Sequence, residues 1–137
     1  MAYSNFYARL HTRGQEIGAA FLAVWSFYPT RVYLPILLFW QILAWLQAWL
    51  IFHNLTGDLL VLHYNVDFGV DLVGDPSRIF LYPIFGLVAC FVALILSSFF
   101  YRQADFKVIT HLLLGAAAVF GLFLSLVLMS IFLINFF

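Results

Sequence analysis

The side chains best suited to chemistry in this sequence lie close together in one polar segment. His63, Asn65, Asp67 and Asp71 all occupy odd positions there. Carboxylate and amide oxygens suit hard cations such as calcium, and an imidazole suits zinc. Alternate residues of a strand are about 6.6 Å apart, which is close to the separation of two ligands on one ion. The same pattern also fits a solvated strand face, and it matches no established metal motif, so we predict an interaction site with no metal.

The sequence offers few motifs for catalysis, cofactor binding or nucleic-acid binding. The sequence contains no paired carboxylates, no glycine-rich phosphate loop and no Ser-His-Asp arrangement. Six Lys and Arg balance six Asp and Glu, so there is no basic surface to attract nucleic acid. His111 fits an interfacial residue better than a haem or metal ligand, and Cys90 fits an inert apolar position. We expect no enzymatic activity, no cofactor and no nucleic-acid partner.

The elements that must position these residues are set by hydropathy. The chain is 66% hydrophobic and only 9% charged, which excludes an ordinary soluble domain. A spanning helix needs roughly 20 mostly apolar residues. Three segments qualify, namely residues 32–52, 79–101 and 108–135. The sequence therefore predicts an all-α integral membrane protein that forms one membrane domain over residues 1–137.

The placement of basic residues predicts the orientation. Five of the six basic residues lie outside the predicted loop 54–78, and that loop holds four of the six acidic residues. The five are Arg9, Arg13, Arg31, Arg102 and Lys107. By the positive-inside rule, the N-terminus is cytoplasmic and the C-terminus and loop 54–78 are external. We expect a bacterial inner membrane as the location.

The N-terminal segment predicts an amphipathic helix over residues 5–28. Its apolar residues fall on one stripe at helical spacing, namely Phe6, Leu10, Ile17, Phe21, Val24 and Tyr28. An interfacial helix on the cytoplasmic leaflet fits best. A re-entrant or additional span and a cleaved signal peptide are the alternatives.

Residues 60–72 alternate between apolar and polar side chains, which is typical of a half-buried strand. We expect this strand to bend or bulge near Gly69 and to end before Pro76. Because an isolated strand leaves its backbone groups unpaired, it needs a partner, either another copy of the chain or a different subunit.

Small residues recur at helical spacing on the second and third spans. Gly86, Cys90, Ala93 and Ser97 form one face, and Ala117, Gly121 and Ser125 form another. Small faces let helix backbones approach closely in lipid, so we expect these two faces to meet. We interpret Gln41 as a residue whose side chain forms a hydrogen bond between helices.

The segment around the alternating strand resembles a known bacterial domain. The residues that carry the resemblance are Leu62-His63-Tyr64-Asn65, Gly69, Asp71, Gly74 and Leu81-Tyr82-Pro83. The domain, itself of unknown function, occurs in the immunity protein against the sporulation-delaying peptide toxin and in other small membrane proteins. The similarity covers about 40 residues; this chain has three residues between Asn65 and Gly69 where two are usual, and Val70 where a proline often precedes the aspartate. The resemblance implies a membrane-embedded role without enzymatic activity.

Together these patterns favour a protein that acts by binding to another protein in the membrane. We expect an accessory subunit or immunity-like factor that packs in the lipid bilayer beside a second copy of itself or another membrane protein. An oligomeric channel or small-molecule carrier is the alternative. A membrane enzyme that uses His63 and the loop aspartates on lipid is the remaining hypothesis.

Overall fold

The fold is described from a computed structural model, which describes residues 2–55, 57, 59–65 and 69–136; side chains are described for 11–12, 14–55, 57, 59–63 and 72–136. The helices are α1 (Ala2–Ser26), α2 (Tyr28–Asn54), α3 (Leu81–Phe99) and α4 (Phe106–Phe136). The strands are β1 (Leu60–Asn65) and β2 (Gly69–Gly74), and a 3-10 turn over Pro76–Phe80 precedes α3. Three helical segments, namely Tyr28–Asn54, Pro76–Phe99 and Phe106–Phe136, are long and apolar enough to span a membrane. The predicted all-α membrane fold is confirmed.

Pro29, in the first turn of α2, explains why α1 ends before α2 begins. Had α1 continued, the proline ring would have met the carbonyl of Trp25 and supplied no N–H to it. Phe27 is extended instead, and the Arg31 guanidinium donates to the Trp25 carbonyl at 3.2 Å. The predicted start at residue 32 placed Pro35 in the first turn of the helix. Because α2 begins at Tyr28, Pro35 lies inside the helix instead. Membrane helices tolerate such a proline because neighbouring groups compensate for the lost bond.

Contacts between the helices define their directions. The pairs Tyr33–His111 and Gln47–Ser125 are both separated by 78 residues, so α2 and α4 run parallel. Gln41 bonds to Pro83 near the start of α3, while Leu37 packs with Ala93 further along it, so α3 runs antiparallel to α2. The bundle thus has a loop end, where residues 100–105 join α3 to α4, and a hairpin end, where β1 and β2 lie.

The hairpin end is filled by side chains from outside the long helices. Leu60 of β1 and Ile79 of the 3-10 turn are fully buried among α2 and α4. The Phe80 ring contacts both Trp45 and Phe52 of α2, with ring centroids 6.0 and 5.4 Å away. Because α3 is much shorter than α2 and α4, β1 and the 3-10 turn occupy the space beyond its first residue.

The alternating segment forms two strands rather than one. β1 pairs antiparallel with β2, from Leu60 opposite Gly74 to Asn65 opposite Gly69, with irregularities on either side of His63. The expected single strand that bends near Gly69 is therefore wrong, because Gly69 begins β2. The partner that the strand requires is supplied largely by the next segment of the same chain.

Helix α1 packs mainly on α3. Ala20 and Val24 are its buried side chains, while Ile17, Phe21 and Tyr28 stay largely exposed. The predicted apolar stripe thus only partly becomes a contact face. α1 is not among the helices that are long and apolar enough to span.

Candidate functional site

Three of the four predicted interaction residues lie on the strands of the hairpin. His63 lies on β1 with an exposed side chain, opposite Leu72 of β2. Asn65 ends β1, and Asp71 lies on β2 between the residues that pair with His63 and Tyr64. Asp67 lies outside the described residues. Within the described part of the chain, no group of three His, Cys, Asp or Glu side chains is placed to hold a metal ion.

The hairpin also exposes apolar side chains, which sequence reasoning did not single out. Leu72 and Val73 on β2 are 53% and 47% exposed, although alternation placed Leu72 on the apolar face. Val73 pairs with Val61 and Leu72 with His63, and the register is irregular on both sides of His63. Leu59, just before β1, is exposed as well. The hairpin therefore carries an apolar patch that the described residues leave uncovered.

The two edges of the hairpin differ. On β1, the Val61 amide donates to Asn135 Oδ1 at 3.0 Å, and Asn135 Nδ2 donates to the Val61 carbonyl at 2.8 Å. The side-chain amide of Asn135 thus satisfies the backbone as a neighbouring strand would. On β2, the described residues include no third strand, so the outer edge from Gly69 to Gly74 is open.

Gly74 packs closely against the side chains of Leu62 and Arg78. A Cβ at this position would lie 2.8 Å from Leu62 Cδ1 and 3.4 Å from Arg78 Cδ. Next to it, Asp75 accepts hydrogen bonds from the hydroxyl and backbone N–H of Ser77, and these bonds lower the pKa of the Asp75 carboxyl below its ordinary 3.8. Asp75 therefore caps the 3-10 turn that leads into α3.

The four predicted packing residues lie at helix contacts, but not all at the same one. Ala93 and Ala117 meet in one cluster between α3 and α4, with Leu37 and Leu114. A Cβ on Gly86 would lie 3.0 Å from Gln41 Oε1 and 3.1 Å from Leu124 Cδ1. A Cβ on Gly121 would lie closest to Trp40 of α2, whereas we expected Gly121 to pack against α3.

Polar side chains along the spans are mostly bonded within the bundle. Gln41 donates to the Pro83 carbonyl at 2.7 Å, and the Gln47 amide and Ser125 hydroxyl join α2 to α4 at 3.0 Å. At the loop end, Tyr33 Oη lies 3.2 Å from His111 Nε2. These bonds join neighbouring helices, as interpreted for Gln41.

A cleft of about 610 Å³ separates α1 from α3 at the loop end. Its walls are mostly apolar, and charged and phenolic groups lie at one end. The residues that line it are Glu16, Ile17, Ala20, Phe21, Phe91, Leu94, Ile95, Ser98, Phe99 and Tyr101. Sequence reasoning missed this cleft because it depends on how α1 crosses α3.

The polar end of the cleft is organised around Arg102. Its guanidinium donates to Tyr101 Oη at 2.7 Å and to Glu16 Oε1 at 3.1 Å. The Tyr101 hydrogen bond, and then Glu16, raise the pKa of the Arg102 guanidinium. The Glu16–Arg102 ion pair thus connects α1 to the end of α3.

Comparisons with family models, with curated proteins and with solved structures found no match to this chain.

Proposed function

We propose that this protein is an accessory or immunity-like membrane protein that acts by binding another membrane protein through its hairpin. The observation that carries the proposal is the combination of an open β2 edge with exposed Leu72 and Val73. An exposed strand edge is a template for an added strand, and pockets or apolar contacts beside it supply selectivity.

Packing inside the bundle favours a role in protein binding over a role in solute transport. One cluster fills the hairpin end with Ile51, Leu60, Ile79 and Leu128, which are fully buried, and a second fills the loop half. A solute path would therefore have to run between copies of the chain. An oligomeric channel or carrier remains the second candidate on that basis alone, and flux through liposomes that contain the purified protein would test it.

The immunity-like part of the proposal rests on the sequence resemblance. The residues that carry it all lie in the hairpin or at the start of α3. Gly74 has a packing role, because Leu62 and Arg78 crowd its Cα, and the buried Pro83 accepts the Gln41 hydrogen bond. We infer that this pattern specifies the scaffold on which the exposed contact residues are presented.

The test is co-purification from native membranes with two matched double variants. Leu72→Glu with Val73→Glu changes the patch, and Gln103→Glu with Ala104→Glu adds the same charge to the exposed loop at the other end. Glutamate is chosen because acidic residues contribute little to membrane orientation. We expect one stoichiometric membrane protein with the wild type and the loop variant, and its loss from the hairpin variant.

Melting temperatures of all three proteins show whether the fold survives, and we expect them to agree because the altered side chains are exposed. Retention of the same companion by a folded hairpin variant would refute binding through this surface. A companion lost equally from both variants would show that added charge alone is responsible.

A further inference from the structure

The cleft between α1 and α3 has the length of one membrane leaflet. Along α3 it reaches from Phe91 to Phe99, which is eight residues or about 12 Å at the helical rise, and Tyr101 of the following loop extends it further. The hydrocarbon core of a bilayer is about 30 Å thick, so half of it is about 15 Å. The cleft therefore begins where the apolar part of α3 ends and runs about as deep as a single acyl chain.

Polar and apolar groups are separated along the cleft as they are in a phospholipid. Phe91, Ile95 and Phe21 form apolar walls, whereas Glu16, Tyr101 and Arg102 lie at the loop end. The Ser98 hydroxyl donates to the Leu94 carbonyl of its own helix, so it adds little polarity to the cleft wall. An amphiphile would place its chain in the cleft and its headgroup beside Arg102.

Charge favours an anionic headgroup. The segments that meet at the loop end contain Arg31, Arg102 and Lys107 against Glu16 and Asp105, so basic residues are in excess there. The Arg102 side chain is 67% exposed, and two of its five N–H donors bond Tyr101 and Glu16. The guanidinium thus retains donors for a phosphate oxygen, which is the ligand that its geometry suits.

The lining of the cleft suits an acyl chain. Its walls are mostly apolar over a volume of about 610 Å³, and pockets with apolar walls bind apolar ligands.

We propose that the cleft between α1 and α3 binds an anionic phospholipid, with one acyl chain between the helices and its phosphate at Arg102. Glu16 competes with the phosphate for the guanidinium, because both anions use the same donors. The Glu16–Arg102 pair therefore closes the cleft mouth when no lipid is bound and opens to admit the headgroup. This site is separate from the hairpin and does not depend on the function proposed for it.

The experiment titrates delipidated full-length protein in neutral detergent with phosphatidylglycerol or phosphatidylcholine of identical chains, and counts bound lipid by native mass spectrometry. One cationic contact near a membrane surface corresponds to about fivefold in affinity. We expect the wild type to prefer phosphatidylglycerol by about this factor, Arg102→Gln to abolish the preference, and Glu16→Gln to increase it. Lys107→Gln is the matched control and should leave the preference unchanged, since Lys107 lies at the same end on α4, whereas Arg102 bonds to Glu16 and Tyr101 of the cleft lining.

A second variant tests the chain-binding part. Ile95→Trp fills the cleft from a half-exposed position on α3, and should weaken binding of both lipids. Equal effects of Arg102→Gln and Lys107→Gln would show general attraction and overturn the proposal. It would also be overturned if Ile95→Trp left both affinities unchanged, or if the cleft proved to hold a second copy, seen as a dimer that Ile95→Trp dissociates.

Discussion

Asn135 is a single residue that decides how the hairpin is held. Its amide donates to the Val61 and Ile131 carbonyls and accepts from the Val61 N–H, so one side chain connects β1 to the last turn of α4. A hairpin of two strands is only marginally stable by itself. The bonds to Asn135 and the burial of Leu60 therefore account for its fixed position on the bundle.

We predict that Asn135→Leu loosens the hairpin without unfolding the helices. Leucine has a similar volume but offers no hydrogen bond to Val61, and the loss of two such bonds corresponds to about 1–3 kcal/mol of local opening free energy. Amide hydrogen exchange in β1 should accelerate accordingly, whereas exchange in the middle of α4 should not.

Asn54→Leu is the control for Asn135→Leu, since the Asn54 amide bonds only to the Leu50 carbonyl of its own helix at 2.8 Å. It should leave β1 exchange as in the wild type. Unchanged β1 exchange in Asn135→Leu would mean that burial of Leu60 alone positions the strand.

At the scale of elements, close approach of α2 and α4 depends on Gly121. Lipid supplies no hydrophobic drive between helices, so packing and interhelical hydrogen bonds must hold them together. A Cβ on Gly121 would lie 3.0 Å from Trp40 Cβ, which cannot withdraw without moving the α2 backbone. The Gln47–Ser125 bonds join the same two helices at a deeper level toward the hairpin end.

We predict that Gly121→Leu destabilises the detergent-solubilised protein by about 1–3 kcal/mol, the usual range for overpacking. A thermal melt would show a lower midpoint as α2 is pushed from α4. Gly18→Leu provides the comparison, because nothing lies within 4 Å of a Cβ at Gly18 on α1. Equal melting points for the two variants would show that α2 and α4 adjust without cost.

At the scale of the whole molecule, the two ends differ in charge. Four of the six acidic residues lie in the segment 54–78, which contains the hairpin, whereas five of the six basic residues lie outside this segment. This asymmetry agrees with a cytoplasmic loop end and an external hairpin end under the positive-inside rule. The proposed lipid cleft would then open to the cytoplasmic leaflet, where anionic lipids attract basic segments.

We predict that a cysteine at position 67 reacts with an impermeant reagent from outside intact cells, whereas one at position 105 reacts only after permeabilisation. Both are introduced by Asp→Cys substitution in a Cys90→Ala background, which removes the native thiol. Asp67 and Asp105 are matched in residue type and belong to opposite ends of the predicted topology. Labelling of position 105 but not 67 from outside would reverse the orientation.

The sequence by itself determined the membrane class and the approximate spans. Long charge-free runs predict helices because unpaired backbone groups are too costly in hydrocarbon, and this constraint acts on each segment separately. The predicted spans 32–52, 79–101 and 108–135 therefore fall within or close to the helical segments Tyr28–Asn54, Pro76–Phe99 and Phe106–Phe136. Period-two alternation likewise indicated β structure between the first two spans.

Only the tertiary structure decided which partners these elements have. The pairing of β1 with β2 and with Asn135, 74 residues beyond Val61, depends on the depth at which α4 ends. The contact of Gly121 with Trp40 depends on the rotation of α4, and the cleft depends on how α1 crosses α3. Hydropathy and periodicity report the environment of each segment, whereas these contacts arise from the relative depth and rotation of segments far apart in the chain.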